Sequence, residues 1–168
     1  EGSDFDSNHA FLGTHGNSMT GAIYFGGSDL TDITIKDTEF KNNTANNDYP
    51  VLTFLVPVDN CNFTNVTFKD NNGTTAPLYF GNDVKNTNVF NCTFKDNENS
   101  ATTNSNGGGI YVQQATSLNI VGSTFDNNTV KNNGGALYVN SGSGVSVNNC
   151  TFTNHHVDTY GGDIYWAN

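Results

Sequence analysis

Gly108-Gly109-Ile110-Tyr111 and Phe125-Asp126-Asn127-Asn128 form one copy of a pair of blocks that recurs every 26 to 32 residues. The first block joins small residues to Ile-Tyr or Leu-Tyr, and the second reads Phe-x-x-Asn. Copies of the second block are Phe40–Asn43, Phe68–Asn71, Phe94–Asn97, Phe125–Asn128 and the variant Phe152–His155. A repeat of this length is typical of solenoids, in which stacked units share one continuous core.

Apolar and polar residues alternate with a period of two inside each repeat, which indicates strands rather than helices. Ile110 and Val112 share one face of a first strand. A second segment ends at Ile120, five residues before Phe125, and this offset recurs in all five copies. The third segment carries the Phe itself. We therefore predict three short strands per coil.

Three strands per coil predict an all-β parallel β-helix, a solenoid of about five and a half coils stacked about 4.8 Å apart. The last residue of each Phe-x-x-Asn block is predicted to occupy a tight bend in the left-handed conformation and to join an Asn ladder along the axis. The Gly pairs are predicted at another corner, where φ is positive. A β-sandwich is the alternative, but it does not explain the constant offset.

Residues 16–168 carry the repeat and are predicted to form one domain, whereas residues 1–15 lack it and are predicted to cap the first coil or to be mobile. Two insertions, Thr44–Tyr49 and Asn99–Asn106, each follow a Phe-x-x-Asn block, so both loops are expected to emerge from one edge. Because the last coil stops after one strand, the chain is expected to belong to a longer solenoid.

Six Lys, no Arg and 16 acidic residues give a net charge of −10. An acidic surface argues against nucleic acid as a partner, because phosphates require basic residues. No apolar run approaches the roughly 18 residues that span a bilayer, so no membrane insertion is predicted within these residues.

The three cysteines are predicted to be small, inert core residues. Cys92 and Cys150 share an inward position two coils apart, which separates them by about 9 to 10 Å. A disulfide needs less than about 7 Å between Cα atoms. Cys61 stands on a different strand, and no Cys-x-x-Cys pair indicates a metal site.

Asp70 and Asp96 share a position one coil apart, within the roughly 5 to 9.5 Å that glycoside hydrolysis requires. Their neighbours Lys69 and Lys95 stack likewise, which favours a solvated surface lattice. His155 is predicted to continue the Asn ladder rather than to share a metal with the next residue, because neighbours on a strand face opposite sides. A Ca²⁺ site would need six or more oxygen ligands. No catalytic residue, metal site or cofactor is predicted.

An outward-facing row of aromatic rings is the predicted binding surface. Where the apolar residues of the first strand point inward, its Tyr points outward. The row consists of Tyr24, Tyr79, Tyr111, Tyr138 and Tyr165, with Thr53 interrupting it. Tyr offers an apolar ring with a polar tip and is favoured at recognition surfaces. A flat row of rings could stack on sugars or on an extended chain, or it could pack against other parts of the protein.

Phe-x-x-Asn alternating with Gly-Gly-Ala-Ile resembles the chlamydial polymorphic membrane proteins. Asn91–Phe94, Asn149–Phe152 and Gly161–Trp166 are still more similar to the adhesin-like proteins of methanogenic archaea. This resemblance covers about residues 16–168 and implies a right-handed, pectin-lyase-like β-helix on a cell surface. Pro50–Thr53 departs from the pattern, and no binding residue of either family is carried over.

We therefore expect an extracellular, cell-surface adhesin or stalk module without catalytic activity. Its expected partner is a cell-surface protein or glycan of another cell. Two alternatives stay open. One is a fibre subunit that self-associates end to end through exposed strand edges. The other is a polysaccharide-active enzyme of the pectin-lyase type, although resembling lyases commonly use an Arg base and this chain has none.

Overall fold

The structure, a computed structural model, describes residues 2–10, 21–46 and 49–167. These residues form short strands, turns and bends, and they contain no helix. All described strand pairs are parallel and stack into four columns along one axis. The predicted parallel β-helix is confirmed, and each coil adds a fourth, two-residue strand that the sequence did not predict. The described residues include no helix able to cross a membrane.

Two of the four columns flank the corner that follows each Phe. The phenylalanine sheet consists of Asp4–Asp6, Glu39–Lys41, Thr67–Lys69, Thr93–Lys95, Thr124–Asp126 and Thr151–Thr153. The corner sheet consists of His9–Ala10, Thr44–Ala45, Asn72–Gly73, Glu98–Asn99, Thr129–Val130 and His156–Val157.

The other two columns complete each coil. The tyrosine sheet consists of Ile23–Phe25, Leu52–Phe54, Leu78–Lys85, Ile110–Ala115, Leu137–Val139 and Ile164–Trp166, with Leu30–Thr31 and Val58–Asp59 paired beside it. The aliphatic sheet consists of Thr34–Lys36, Asn62–Thr64, Thr87–Phe90, Leu118–Val121 and Val145–Asn148.

The core inside these sheets combines buried Leu, Ile and Val side chains with a stack of phenylalanine rings. In-register pairing sets Phe68 on Phe40 and Phe94 on Phe68. Their ring centroids lie 5.1 Å and 4.8 Å apart, with planes within 9° of parallel. All three rings are fully buried. Stacking in this geometry stabilises each ring beyond the burial of its surface. The coil spacing therefore favours Phe at this position, because it places successive rings at stacking distance.

The repeat begins earlier than the sequence analysis proposed. Phe5 pairs in register with Phe40, and their rings stack with centroids 4.9 Å apart. Asn8 Nδ2 donates a hydrogen bond to Asn43 Oδ1 at 2.8 Å. This is a Phe-x-x-Asn block that the sequence analysis did not count, so this part of the predicted cap continues the solenoid. The rest of that segment, 1 and 11–15, lies outside the described residues.

A buried ladder of Asn side chains follows the phenylalanine sheet, as predicted. Asn71 Nδ2 donates to Phe40 O at 3.0 Å in the preceding coil and to Asn97 Oδ1 at 2.9 Å in the next. The Asn71 backbone N–H donates to the same oxygen at 3.2 Å. The ladder comprises Asn43, Asn71, Asn97 and Asn128, each 0–1% exposed. The side-chain amides of Asn43, Asn71 and Asn97 each link three coils, so these buried polar groups are satisfied within the protein.

The left-handed residue of this corner lies one position earlier than predicted. It is Asn42, Asp70, Asp96, Asn127 or Asn154, with φ of 54°, 54°, 55°, 52° and 59°. Asn and Asp tolerate this conformation better than other non-glycine residues. The prediction assigned the conformation to the ladder residues themselves. The turn instead precedes them and directs their side chains into the corner.

Glycine is needed at the Gly-rich corner for two different reasons, a positive φ at some positions and a lack of space for a Cβ at others. Gly134 and Gly161 have the predicted positive φ, 70° and 65°. In the preceding coil the positive φ belongs to Gly107, at 74°. Gly108 is required for space, because a Cβ there would lie 2.1 Å from the backbone oxygen of Gly135.

The cysteines are free thiols within the described residues. Cys61 and Cys92 are buried, whereas Cys150 is only half-buried. Ser123 separates Cys92 from Cys150, and its Oγ accepts the Cys92 backbone N–H at 3.1 Å. Burial raises the pKa of the Cys92 thiol to about 11. This thiol therefore stays protonated and unreactive near neutral pH.

Replacing one ladder amide tests its contribution to stability. Asn97→Ala removes the acceptor of two Asn71 donors and leaves them buried. We expect the free energy of unfolding to fall by about 2–4 kcal/mol in urea titrations. Asn88→Ala is the matched control, because its amide belongs to an outward, half-buried Asn ladder. The expected loss for this control is below about 1 kcal/mol. Equal losses for the two variants would contradict the conclusion that the buried ladder contributes more to stability than the outward one.

His155 ends the Asn ladder, and it should make stability depend on pH. Its Nδ1 accepts the Asn128 backbone N–H at 3.2 Å, while its buried Nε2 has no partner. Burial lowers the pKa of His155, although Asp163 and Asp126 oppose the shift. The unfolded chain therefore takes up a proton first, and stability present above about pH 6.5 is lost as pH falls through the folded pKa.

His155→Asn should restore the amide ladder and remove this loss. We expect the variant to be more stable than the wild type at pH 5 by about 1 kcal/mol and to show a flatter stability profile between pH 7 and 5. His156→Asn changes an exposed neighbour outside the ladder and should not give this gain in stability at pH 5. An unchanged profile in His155→Asn would assign the pH dependence to other groups.

Candidate functional site

Four of the predicted binding residues form a continuous stack, the tyrosine ladder, which comprises Tyr79, Tyr111, Tyr138 and Tyr165. Successive ring centroids lie 4.7, 5.1 and 5.6 Å apart. The planes deviate from parallel by 13°, 14° and 7°. The in-register pairing of the tyrosine sheet brings them together, because each strand supplies its Tyr at the same level.

This stacking changes how the row can contact a ligand. The faces of Tyr111 and Tyr138 are covered by neighbouring rings, and Tyr138 is only 8% exposed. The Tyr111 hydroxyl donates to Gln113 Oε1 at 2.8 Å, and the Tyr138 hydroxyl donates to Asn140 Oδ1 at 3.4 Å. The inner rings therefore cannot serve as flat platforms. They offer their edges and hydroxyl oxygens.

Tyr24, the fifth predicted residue, lies apart from the ladder. It pairs with Thr53, which is fully buried and separates it from Tyr79, and 49% of its surface is exposed. A ring that the prediction did not include reaches Tyr79 instead. Tyr49 lies 4.8 Å from it between centroids, tilted by 55°. Its position at the end of the first insertion was the only signal in the sequence.

The hydroxyls of Tyr79, Tyr111 and Tyr138 stay protonated over the physiological range, because burial raises the pKa of each. Burial, with Tyr138 and Tyr49 nearby, raises the pKa of Tyr111 to about 12. Burial and the adjacent Tyr49 raise the pKa of Tyr79 as well. A phenol with such a pKa donates and accepts hydrogen bonds but does not act as a base near neutral pH.

A groove of about 340 Å³ runs beside the tyrosine ladder. Tyr79, Tyr111 and Tyr138 line it together with polar side chains from three neighbouring coils. Those polar side chains are Thr74, Thr75, Asn99, Asn104, Asn106 and Asn140. This volume lies at the lower end of the range for small-molecule sites, roughly 300–1,000 Å³. The groove thus joins two surfaces predicted separately, the Tyr row and the 99–106 loop.

The loop that borders the groove is held in place by its own polar groups. Asn99 is buried, and its Nδ2 donates to Asn106 O at 3.1 Å. Ser105, fully buried, donates from Oγ to Asn99 O at 2.9 Å and accepts the Lys131 N–H at 3.2 Å. These bonds close the loop on the next coil. The side chains it presents, including Asn104, are therefore preorganised for contact.

The first insertion, 44–49, meets the same surface as the 99–106 loop. Ala45 and Asn46 line a cleft of about 310 Å³ together with Thr74 and residues 100–102. The two insertions therefore emerge from one edge, as the sequence predicted. Residues 47–48 of the first insertion lie outside the described residues. The clefts share Thr74, so a polar surface continues from the ladder around the edge of the solenoid.

Charged residues concentrate elsewhere. The described residues that line the groove carry no charge. On the phenylalanine sheet, Lys95 pairs with Asp126 at 2.8 Å, and Lys69 lies 3.5 Å from Asp70. The hydrogen bond from Lys95 lowers the pKa of Asp126 to about 2. Asp96 accepts the Asn127 amide at 2.7 Å. This matches the Lys/Asp surface lattice predicted from the sequence.

No cluster of three or more His, Cys, Asp or Glu residues that could hold a metal ion occurs among residues 2–10, 21–46 and 49–167. His155 accepts a hydrogen bond from the Asn ladder, whereas His156 lies 3.5 Å from Asp158. The two rings thus have different surroundings, as their positions on a strand predict.

Comparison with known families identifies the fold. Residues 8–168 match the family described as the right-handed β-helix region, so the chain belongs to that family. The right-handed coiling of the β-helix, implied by the sequence resemblance, is thereby confirmed. Neither the search of curated proteins nor the search of solved structures gives a match. The function is therefore inferred from the geometry of the chain itself.

Sequence reasoning missed half of the polar residues of the groove. Thr74, Thr75 and Asn140 lie in turns whose composition resembles that of every other bend in this Asn- and Thr-rich chain. Only stacking of the coils brings them beside the rings. Asn104 and Asn106 could be located in advance, because they lie in an insertion.

The ladder should contribute to stability as well as to the groove. Tyr138→Ala removes a ring packed between Tyr111 and Tyr165, and we expect it to lower the free energy of unfolding by about 2–4 kcal/mol. Tyr138→Phe keeps the stack and should cost less than about 1 kcal/mol. Thermal and urea unfolding of both variants provides the measurement. A small loss for Tyr138→Ala would show that the ring packs loosely.

Proposed function

We propose that this protein is a non-catalytic, extracellular attachment module, an adhesin or surface stalk that holds its cell to another cell or to surface glycans. The groove between the tyrosine ladder and the 99–106 loop is the observation that carries this proposal. The loop departs from the repeat, yet its buried Asn99 and Ser105 fix it against the solenoid. An insertion held this firmly beside aromatic edges is suited to recognition.

The chemistry of the groove supports the proposal of binding without catalysis. Glycoside hydrolysis needs two carboxyl groups, one of them with a raised pKa. The described groove residues offer amides, hydroxyls and phenols, and the phenol of Tyr111 has a pKa of about 12. Asp6, Asp37 and Asp126, by contrast, have lowered pKa values because hydrogen-bond donors hold them ionised. The proposal accordingly includes no cofactor.

The proposed location at the cell surface rests on the kind of repeat. Phe-x-x-Asn alternating with Gly-Gly-Ala-Ile is similar to surface-displayed proteins of chlamydiae and methanogenic archaea. An elongated β-helix also suits display, because each coil adds length without requiring a larger core. A net charge of −10 favours a protein or glycan partner over nucleic acid.

Filling the groove should abolish attachment. Thr75→Trp places a large ring beside the ladder, and we expect binding to whole cells and to a glycan array to fall at least tenfold. Thr64→Trp is the matched control, because Thr64 lies on the aliphatic sheet, in register with Phe90. Circular dichroism and thermal unfolding should show that both variants fold.

Chelation provides the second arm of this experiment. Because no cofactor is proposed, binding should be the same with Ca²⁺ and with EDTA. Equal binding by Thr75→Trp and the wild type would exclude the groove as the attachment site. Release of reducing sugar from bound glycans would overturn the non-catalytic assignment.

A further inference from the structure

We infer that the groove recognises an uncharged oligosaccharide, extended along the solenoid axis beside the tyrosine ladder. This inference rests on the proposed attachment function and names the chemical class of its ligand. It depends on three features of the groove: the kind of polar groups that line it, the absence of charge among its described residues, and the axial spacing of the rings.

The polar groups match sugar hydroxyls. The side-chain amides of Asn106 and Asn140 each use one donor and one acceptor position within the protein, and each keeps a second N–H and a second lone pair for a ligand. The Asn104 amide also lines the groove, and Thr75 Oγ1, which donates to Ala76 O, can still accept a hydrogen bond. Each sugar hydroxyl is likewise both donor and acceptor. Such a lining can pair with several hydroxyl orientations without leaving a buried group unsatisfied.

The lack of charge among the described groove residues argues against charged ligands. An anionic glycan would enter the field of a chain with a net charge of −10 and would find no cation among the described groove residues. A basic peptide would find no carboxylate there, and desolvating an unpaired ammonium group is costly. A neutral ligand incurs neither penalty.

The spacing of the rings favours a sugar chain over a peptide. Tyr79, Tyr111 and Tyr138 follow each other at 4.7 Å and 5.1 Å. A pyranose unit in an extended chain advances by about one such step, whereas an extended peptide advances about 3.3–3.6 Å per residue. Successive sugar units can therefore meet equivalent ring edges and hydroxyl oxygens on successive coils, a register that a peptide cannot keep.

Calorimetric titration with defined probes tests the ligand class. The probes are neutral hexose oligomers from disaccharide to hexasaccharide, sulfated oligomers of the same lengths, and an oligolysine peptide. We expect only the neutral series to bind, with affinity rising over the first few units. Raising the salt concentration from 50 to 500 mM should change this affinity less than twofold, because screening acts only on charged partners.

A pair of variants with the same charge change provides the control. Asn140→Asp puts a carboxylate into the groove and should weaken binding of neutral oligomers at least tenfold. Asn148→Asp makes the same change on the aliphatic sheet, where the Asn148 amide donates to Ser146 Oγ, and should leave affinity unchanged. Both variants should unfold within a few degrees of the wild type.

The outcomes separate this inference from the proposed function. Salt-sensitive binding of sulfated oligomers or of the peptide would overturn the neutral ligand class and leave an attachment module in place. Cell binding that Thr75→Trp abolishes, without affinity for any oligosaccharide, would also overturn the inference alone. Failure of both cell binding and oligosaccharide binding would overturn the attachment function and the inference together.

Discussion

In-register parallel pairing between coils, about 4.8 Å apart, is the constraint on which the rest of the structure depends. It places each side chain directly over its counterpart in the next coil. Phe68 therefore stacks between Phe40 and Phe94, and Asn71 links Phe40 and Asn97. Phe and Asn side chains interact favourably with copies of themselves, so each ladder stabilises the fold in every coil. These ladders explain why a chain so rich in Asn and Gly can fold.

The candidate site lies where this translational order is interrupted. The regular faces repeat one chemical group at every coil, whereas the 99–106 insertion adds side chains that no other coil provides. Asn99 and Ser105 bind that insertion to the repeat with buried hydrogen bonds. The repeat thus supplies a rigid base and a row of ring edges, and the insertion supplies the asymmetry that recognition requires.

The distribution of charge separates two surfaces of the solenoid. Along the phenylalanine sheet, Lys95 and Asp126 pair across successive coils, and Asn127 supports Asp96. The contact with Lys95 lowers the pKa of Asp126 and so holds this carboxylate ionised. The groove beside Tyr111 is lined by neutral groups in its described part. One chain therefore combines an ionic lattice with a neutral groove.

The sequence by itself determined the period, three of the four strands in each coil and the inward ladders, because a two-residue alternation repeated at constant offsets places the same side chains on the same face of every coil. It also located the Tyr row and the two insertions. Tertiary structure alone decided that Asn42 rather than Asn43 takes the left-handed conformation, that Phe5 joins the stack, and that the inner Tyr rings cover one another. Only the tertiary structure revealed the groove, because Thr75 and Asn140 lie far apart in sequence. Their proximity follows from the stacking of coils, which no local pattern records.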